Sequence, residues 1–309
     1  MLRIRAPGGV ECVSLDDPRA LWIDLESPTD EEERAVEAAL EVDVLTAAER
    51  AALEESARFY QENGALYLTA TLLGRRDEGP FKSGAVTFIL TKGKLVTVRT
   101  IRPRAFDVGQ GRASARVGSA TTGAEVMMAL LDGGVERLAD ILSEATQELT
   151  KLSTEIFAEK DTDLRGALRS LGRVGGLVSM THECLSSLQR LAVYARHAGK
   201  DFGFDNARLG VFARDTEELE RVAEALQTRL SYYQDAALGF ISSTQNDVLR
   251  TLAIATMAFM PPTLIASIFG MNFQQMTWFD AAWGPWVGMA LMVLAPLALF
   301  AVAKWRRWF

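Results

Sequence analysis

Residues 251–272 read TLAIATMAFMPPTLIASIFGMN and contain no charged side chain. Residues 252–269 alone would span ~27 Å as an α-helix, close to the ~30 Å hydrocarbon core of a bilayer. A second uncharged run, residues 281–303, follows after a short link. Since a lipid-exposed chain must satisfy its backbone hydrogen bonds internally, the two runs predict a pair of transmembrane helices.

The first apolar run continues, without a convincing break, from a charged amphipathic stretch that begins near Ala207. One stalk helix is therefore expected to enter the membrane. Residues spaced seven apart along this helix fall on one line, and such a spacing keeps one face toward neighbouring helices. The line comprises Thr228, Asp235, Ser242, Leu249, Thr256, Thr263 and Gly270, with Asn246, Met260 and Ser267 beside it. These mostly small or polar residues predict either a water-filled axis between several copies or close contact between two transmembrane helices.

The charges that flank the apolar runs predict the orientation of the chain. The first residues lack the apolar core and small-residue cleavage site of a secretory signal. Arg250 precedes the first run, Lys304, Arg306 and Arg307 follow the second, and the link carries only Asp280. By the positive-inside rule, both termini are expected in the cytoplasm of a cell with a bacterial-type inner (plasma) membrane.

Composition argues against several classes of protein. The formal net charge of −7 and the scattered basic residues argue against nucleic-acid binding. The thiols Cys12 and Cys184 suit neither a disulfide framework nor a zinc ribbon, and His182 and Cys184 point to different faces of a helix. The glycines at 172–176 lie in a helical pattern, and no phosphate-binding loop is present. The sequence therefore shows no ATP-hydrolysing machinery, and any transport is expected to use an ion gradient or the membrane potential.

The N-terminal region predicts an α/β domain with a largely antiparallel or mixed sheet. Strand signals occur at residues 10–13 and 20–23 and in hairpins centred on Asn63-Gly64 and Lys92-Gly93-Lys94. Thr29 and Glu32 form a capping box that opens a helix to about Leu40.

Helical periodicity replaces the strand signals after residue 121. Long helices are predicted to about residue 159 and over residues 164–198, with a break at 199–203. The predicted organisation is a cytoplasmic α/β domain (1–120), long cytoplasmic helices (121–204), a stalk continuing into the first transmembrane helix (205–272), an outer loop (273–284), the second transmembrane helix (285–303) and a basic cytoplasmic tail (304–309).

Residues 260–272, MPPTLIASIFGMN, resemble the signature of the CorA family of magnesium channels, in which Gly-Met-Asn lies between two C-terminal transmembrane helices. The resemblance extends over the whole architecture. It implies a funnel-shaped homopentamer in a lipid bilayer, whose first transmembrane helices line one pore for divalent cations. Gly270, Met271 and Asn272 match the selectivity filter. The positions expected to line the pore are Thr263, Met260, Thr256, Leu252, Leu249, Asn246, Ser242, Asp235 and Thr228.

The resemblance implies that Mg²⁺ is the transported ion and also a regulatory ligand, with Co²⁺ and Ni²⁺ as surrogates. A ring of neutral Asn272 amides would hold the hydrated ion through its waters, and Asp235 would form a carboxylate ring at the cytoplasmic mouth. Leu249, Leu252 and Met260 would close the pore by dewetting. The regulatory metal site cannot be assigned to particular positions.

The chain departs from the family pattern at two places. Phe269 stands where the family commonly has Tyr, and the outer loop at 272–278 lacks the usual acidic residue. Two alternatives to a Mg²⁺ channel remain open: a Zn²⁺ transporter of the same superfamily, with or without proton coupling, and a membrane-anchored sensor that conducts nothing.

Overall fold

The computed structural model describes residues 1–6, 14–15, 17, 19–46, 49, 58–75, 81–106, 112–158, 163–271 and 283–306. The chain divides into two compact units, Met1–Gln234 and Asp235–Phe309. The α/β region and the long helices that follow it belong to the same, first unit.

Within the described residues, the first unit contains a six-stranded sheet. Its strands are β1 (Leu2–Arg5), β2 (Trp22–Glu26), β3 (Phe59–Glu62), β4 (Ala65–Arg75), β5 (Phe81–Thr91) and β6 (Lys94–Arg99). The strand order is β1-β2-β6-β5-β4-β3, with β2 and β6 parallel and the other neighbours antiparallel. The prediction of a mixed, largely antiparallel sheet is confirmed.

Two-residue turns join β3 to β4 and β5 to β6. Asn63 and Gly64 have φ angles of 49° and 74°, and Lys92 and Gly93 have φ angles of 48° and 78°. Positive φ at both central residues is the geometry whose twist matches that of the flanking strands. Both predicted hairpins are therefore confirmed.

Strand β1 forms one edge of the sheet, and the start of the first helix is joined to it. Strand β1 was not predicted, the predicted strand at 20–23 is observed as β2, and residues 10–13 lie outside the described residues. Helix α1 (Asp30–Leu40) begins with the predicted capping box of Thr29 and Glu32. Glu32 also accepts hydrogen bonds from the Met1 ammonium at 3.1 Å and the Leu2 N–H at 2.9 Å. One carboxylate thus joins the helix cap to the edge strand.

A buried ionic network crosses β2 and β6. The Arg99 guanidinium donates to Asp24 at 2.8 Å and to Glu26 at 3.0 Å, and Thr97 donates to Asp24 at 2.9 Å. Burial would raise the pKa of Glu26, but the hydrogen bond from Arg102 and the charges of Arg99 and Arg102 outweigh burial and lower that pKa. The network places matched charges inside the sheet layer, where an unpaired charge would be costly.

Long helices complete the first unit. After the short helix α2 (Arg112–Ser119) they are α3 (Gly123–Ile156) and α4 (Leu164–Ala198), and a 3₁₀ helix (Gly199–Phe202) follows α4. The two long helices and the break after them are confirmed. Ser187 of α4 accepts a hydrogen bond from the Thr71 N–H of β4 at 2.9 Å in a buried position, and Leu185 and Leu188 are fully buried. The amphipathic face of α4 therefore packs on the sheet.

Helix α5 (Asn206–Gly270) is a single element of 65 residues. It spans the boundary at Gln234 between the two units and contains Pro261 and Pro262 in its interior. Helix α6 (Gly284–Trp305) follows. The continuous stalk and the second apolar helix are both observed.

Candidate functional site

Two apolar helices long enough to cross a membrane occur among the described residues, and both are exposed. In the most apolar 18-residue stretch of each helix, no residue of α5 is buried and 11% of those of α6 are buried. The core helix of a soluble protein would be mostly buried, and a secretory signal would lie at the N-terminus. The exposed apolar surface therefore fits lipid or other copies of the chain as its surroundings.

The apolar part of α5 has two distinct faces. The less exposed positions are Ile254, Met257, Ala258, Pro261, Pro262, Ile265 and Phe269. At 3.6 residues per turn, Ile265 lies about 180° around the helix from Thr256. The predicted pore positions from Leu249 to Gly270 lie within about 40° of Thr256 on the same ideal helix. The predicted pore line is thus on the side opposite the half-buried one.

Helix α6 packs through small residues. Gly284, Gly288 and Ala303 are its buried residues. A Cβ added to Gly288 would lie 2.9 Å from Cε1 of Phe269, so the Phe269 ring packs directly on the glycine backbone. The sequence did not predict this contact. The spacing of Gly284 and Gly288, four residues apart in an apolar helix, is the signal that could have indicated it.

Threonines on the pore line present their oxygens in a particular way. The hydroxyl of Thr256 donates to the Leu252 carbonyl at 2.9 Å, and that of Thr263 donates to the Phe259 carbonyl at 2.7 Å. Because each hydroxyl hydrogen is used within the helix, the exposed side of each oxygen is an acceptor. Acceptors in a row suit the outward-pointing hydrogens of a hydrated cation.

The other predicted pore residues are also placed on α5. Thr228 lies in the first unit, and its hydroxyl donates to the Glu224 carbonyl at 3.1 Å. Asp235, Ser242 and Asn246 are exposed. The three apolar positions, Leu249, Leu252 and Met260, are 61%, 62% and 63% exposed. The row therefore changes from polar to apolar at Leu249, and beyond Leu252 the apolar Met260 lies between Thr256 and Thr263.

The predicted selectivity filter begins at the last residue of α5. Gly270 is the last residue of the helix, and the Met271 N–H donates to the Ile268 carbonyl at 3.3 Å. Asn272 and the outer loop to residue 282 lie outside the described residues. Phe269, which holds α6 through Gly288, immediately precedes this segment. The residue that packs on α6 is therefore the direct neighbour, along the chain, of the first residue of the predicted filter.

No group of three or more His, Cys, Asp or Glu residues that could hold a metal occurs in the part of the chain that the structure describes. His182 lies 3.8 Å from Glu220 and 3.7 Å from Glu224. Cys184 is buried instead, and its burial, with a smaller contribution from Glu183, raises its pKa to about 12. His182 and Cys184 therefore face different surroundings.

Comparisons with known proteins agree in one family. The family described as CorA-like Mg2+ transporter protein matches residues 18–307. Magnesium transport protein CorA of Salmonella typhimurium is 28% identical over 290 residues, which cover 94% of this chain and 92% of that protein. The structure of the CorA magnesium transporter from Methanocaldococcus jannaschii superposes with a TM-score of 0.74 at 17% identity, covering 98% of each chain. The ZntB cytoplasmic domain from Vibrio parahaemolyticus gives 0.59 at 12% identity, covering 79% of this chain and 98% of that domain.

Proposed function

The chain belongs to the CorA-like Mg2+ transporter family, a family of transport proteins rather than enzymes, and we propose that it conducts Mg²⁺ into the cell down the electrochemical gradient. The observation that carries the proposal is the exposed row of small and polar residues on α5, opposite the half-buried face. Water in a pore between copies would supply hydrogen-bond donors to the free acceptor side of the Thr256 and Thr263 oxygens. Co²⁺ and Ni²⁺ would serve as surrogate ions.

Five copies would surround the pore, as the family resemblance implies. On an ideal helix, Asn246, Asp235 and Thr228 lie about 60–80° from Thr256. A left-handed supercoil of the α5 helices would bring these residues back to the common axis, because a seven-residue repeat drifts by about 20° per heptad on a straight helix. The homopentamer would thus continue the polar row of the pore from Thr263 to Thr228.

Selectivity would reside in Gly270, Met271 and Asn272. Mg²⁺ gives up its waters reluctantly and prefers oxygen ligands. Neutral Asn272 amides would bind the hydrated ion weakly enough to release it, and a divalent cation would gain roughly 4–5 kcal/mol per 100 mV of inside-negative potential. Asp235 would concentrate cations as a carboxylate ring at the cytoplasmic mouth.

The gate would be the apolar section of the row. Leu249, Leu252 and Met260 would exclude water when five copies approach closely. Pro261 and Pro262 lack an N–H, so the carbonyls four residues before them have no helical partner. This irregular turn lies beside Met260 and would allow the helix to bend as the gate opens.

Intracellular Mg²⁺ would favour the closed state. Each chain carries a net charge of −7, so neighbouring cytoplasmic regions repel unless cations bridge their acidic faces. A ligand shifts a conformational equilibrium only by binding one state more tightly. Hydrogen exchange along α5, measured with and without millimolar Mg²⁺, should show stronger protection with the ion, and unchanged protection would contradict the feedback.

Orientation follows from the flanking charges. Arg250 precedes the apolar part of α5, Lys304 lies in the last turn of α6, and Arg306 follows that helix. Both termini would face the cytoplasm of a cell with a bacterial-type inner membrane.

A Zn²⁺ transporter is the second candidate, because the fold is also that of the ZntB cytoplasmic domain. From Asp235 to Asn272 the chain contains no His or Cys. Zinc sites generally use such nitrogen and sulfur ligands, so the predicted pore favours Mg²⁺ over strongly bound Zn²⁺. The third alternative, a membrane-anchored sensor, would conduct neither ion.

The deciding experiment is ion flux into liposomes that contain the purified full chain. Under an inside-negative potential, fluorescent indicators would report Mg²⁺ or Zn²⁺ entry. Mg²⁺ flux without a proton gradient supports the proposal, proton-dependent Zn²⁺ flux supports the second candidate, and no flux supports the sensor.

The substitution Asn272→Ala tests the filter. It should abolish Mg²⁺ flux and leave the oligomer intact in gel filtration, because it removes an amide predicted to face the pore mouth. Gln275→Ala removes an amide from the same predicted loop and is expected to retain flux. Wild-type flux in Asn272→Ala would refute the filter assignment.

A further inference from the structure

A cavity of about 370 Å³ opens at the end of β4 in the first unit. Its volume is within the range of small-molecule sites, which is about 300–1,000 Å³. Four of its lining residues are arginines. The residues that matter for its chemistry are Gly74, Arg75, Phe81, Arg102, Arg104 and Arg137.

The charge of the cavity is opposite to that of the chain. No carboxylate lines it among the described residues, whereas the whole chain carries −7. Arg102 is paired with Glu26, and Arg137 lies 3.1 Å from Glu144. Arg75 and Arg104 form no ion pair with a described residue. Two of the four guanidinium charges therefore have no ion pair within the part of the chain that the structure describes.

The backbone and Phe81 hold these arginines in place. The backbones of Arg75 and Arg102 exchange hydrogen bonds of 3.2 and 2.9 Å. A Cβ on Gly74 would lie 2.8 Å from the Arg102 carbonyl carbon, so only glycine permits this approach. The guanidinium carbons of Arg75 and Arg137 lie 4.6 and 5.5 Å from the centre of the Phe81 ring. Such contacts fix guanidinium groups that would otherwise move apart.

Gathering like charges around a cavity costs free energy unless an anion enters it. Guanidinium groups always carry their charge and bind phosphate through two parallel hydrogen bonds. Several converging arginines match an anion with several charged oxygens better than a single carboxylate.

We propose that this cavity binds a small soluble anion with two or more adjacent phosphate groups, such as pyrophosphate or the phosphate chain of a nucleotide. Arg75 and Arg104 would supply the uncompensated charge, and Arg102 and Arg137 would complete the ring of donors. The site uses none of the predicted pore residues and would give the first unit a ligand of opposite charge to Mg²⁺.

Titration calorimetry with pyrophosphate would test the site in the full chain, held in phosphatidylcholine nanodiscs in Mg²⁺-free buffer of constant ionic strength. We expect saturable binding of one pyrophosphate per chain and weaker binding of inorganic phosphate. Arg75→Gln and Arg104→Gln should each weaken pyrophosphate binding roughly tenfold or more, because each removes a charge-assisted contact. Arg173→Gln, which removes an exposed charge from α4, is the matched control and should leave binding unchanged.

Arg104→Lys provides a second variant that keeps the charge and loses the planar fork of donors. It should bind pyrophosphate with an affinity between those of wild type and Arg104→Gln. Absence of saturable binding, or equal loss in the Arg173→Gln control, would overturn the proposal.

Two further outcomes would assign the cavity to another occupant and also overturn the proposal. If anionic phospholipid in the nanodiscs removes pyrophosphate binding, the phosphate belongs to lipid. If Arg75→Gln and Arg104→Gln change the oligomeric state but not pyrophosphate affinity, the arginines pair with carboxylates of a second copy.

Discussion

Replacing Gly288 with Ala should disturb the contact between the two apolar helices. The added Cβ would lie 2.9, 3.2 and 3.3 Å from three atoms of the Phe269 ring. Carbon atoms pack at about 3.5–4.0 Å, so the ring or the helix must move by roughly 0.5–1 Å. Overpacking of this size typically costs about 1–3 kcal/mol, which is roughly 5- to 150-fold in the equilibrium between the packed and displaced arrangements.

The displacement should affect ion flux as well as stability, since Phe269 immediately precedes Gly270 and the predicted filter. Liposome flux of Mg²⁺ and the thermal midpoint of the detergent-solubilised oligomer would be measured for Gly288→Ala. Both are expected to fall.

A second substitution tests whether the effect of Gly288→Ala depends on the Phe269 ring. Phe269→Leu removes the ring that the new methyl group contacts, so Gly288→Ala with Phe269→Leu should be less impaired than the sum of the two single changes. Gly172→Ala is the matched control, because a Cβ at Gly172 in α4 would meet no side chain or neighbouring element of the described residues within 4 Å. Wild-type flux and stability in Gly288→Ala, or strictly additive effects in the double variant, would refute the proposed contact.

Three predictions concern the first unit. Arg99→Met should lower the free energy of unfolding by about 3–5 kcal/mol in chemical denaturation, because it leaves Asp24 buried without the guanidinium that pairs with it, whereas Glu26 keeps its ion pair with Arg102; an unchanged midpoint would contradict this. The pKa of Glu26 is lower in the folded chain than in the unfolded one, so ionised Glu26 stabilises the fold fully above the unfolded pKa, and this stabilisation is lost as pH falls through the folded pKa. Acid unfolding should show the loss. Glu26→Gln should remove that part of the pH dependence of stability. Cys184, whose pKa is raised to about 12, should resist maleimide at pH 8 in a Cys12→Ser background and react after denaturation, whereas rapid native labelling would refute its burial.

The features that were predicted from the sequence are those encoded by neighbouring residues. The capping box of Thr29 and Glu32 and the hairpin turn at Asn63-Gly64 each need only two to four adjacent positions. The long helices were equally clear, because apolar residues repeat at helical spacing over many turns. Strand β1 was missed because four residues, Leu2–Arg5, form too short an alternation to recognise without the partner strand.

The arginine cavity required the three-dimensional fold. Arg75 ends β4, Arg102 and Arg104 follow β6, and Arg137 lies within α3. In the sequence these residues are separated by up to 62 positions and resemble ordinary scattered charges. Only the pairing of Arg75 with Arg102 and the packing of α3 bring them to one cavity. The spacing of residues in the sequence therefore cannot predict a cluster of charges that only the fold brings together.

The two faces of α5 bear on the two roles that its small residues could have. Small residues along a membrane helix favour either close helix packing or a polar axis. In the second unit, the tight contact of the helical hairpin uses Phe269 and Gly288, whereas Thr256 and Thr263 lie on the exposed side of α5. The hairpin contact therefore leaves the threonine face uncovered. Under the proposed function, that face would meet water between copies, whose hydrogens would bond to the free acceptor side of the threonine oxygens; the flux measurements test this arrangement.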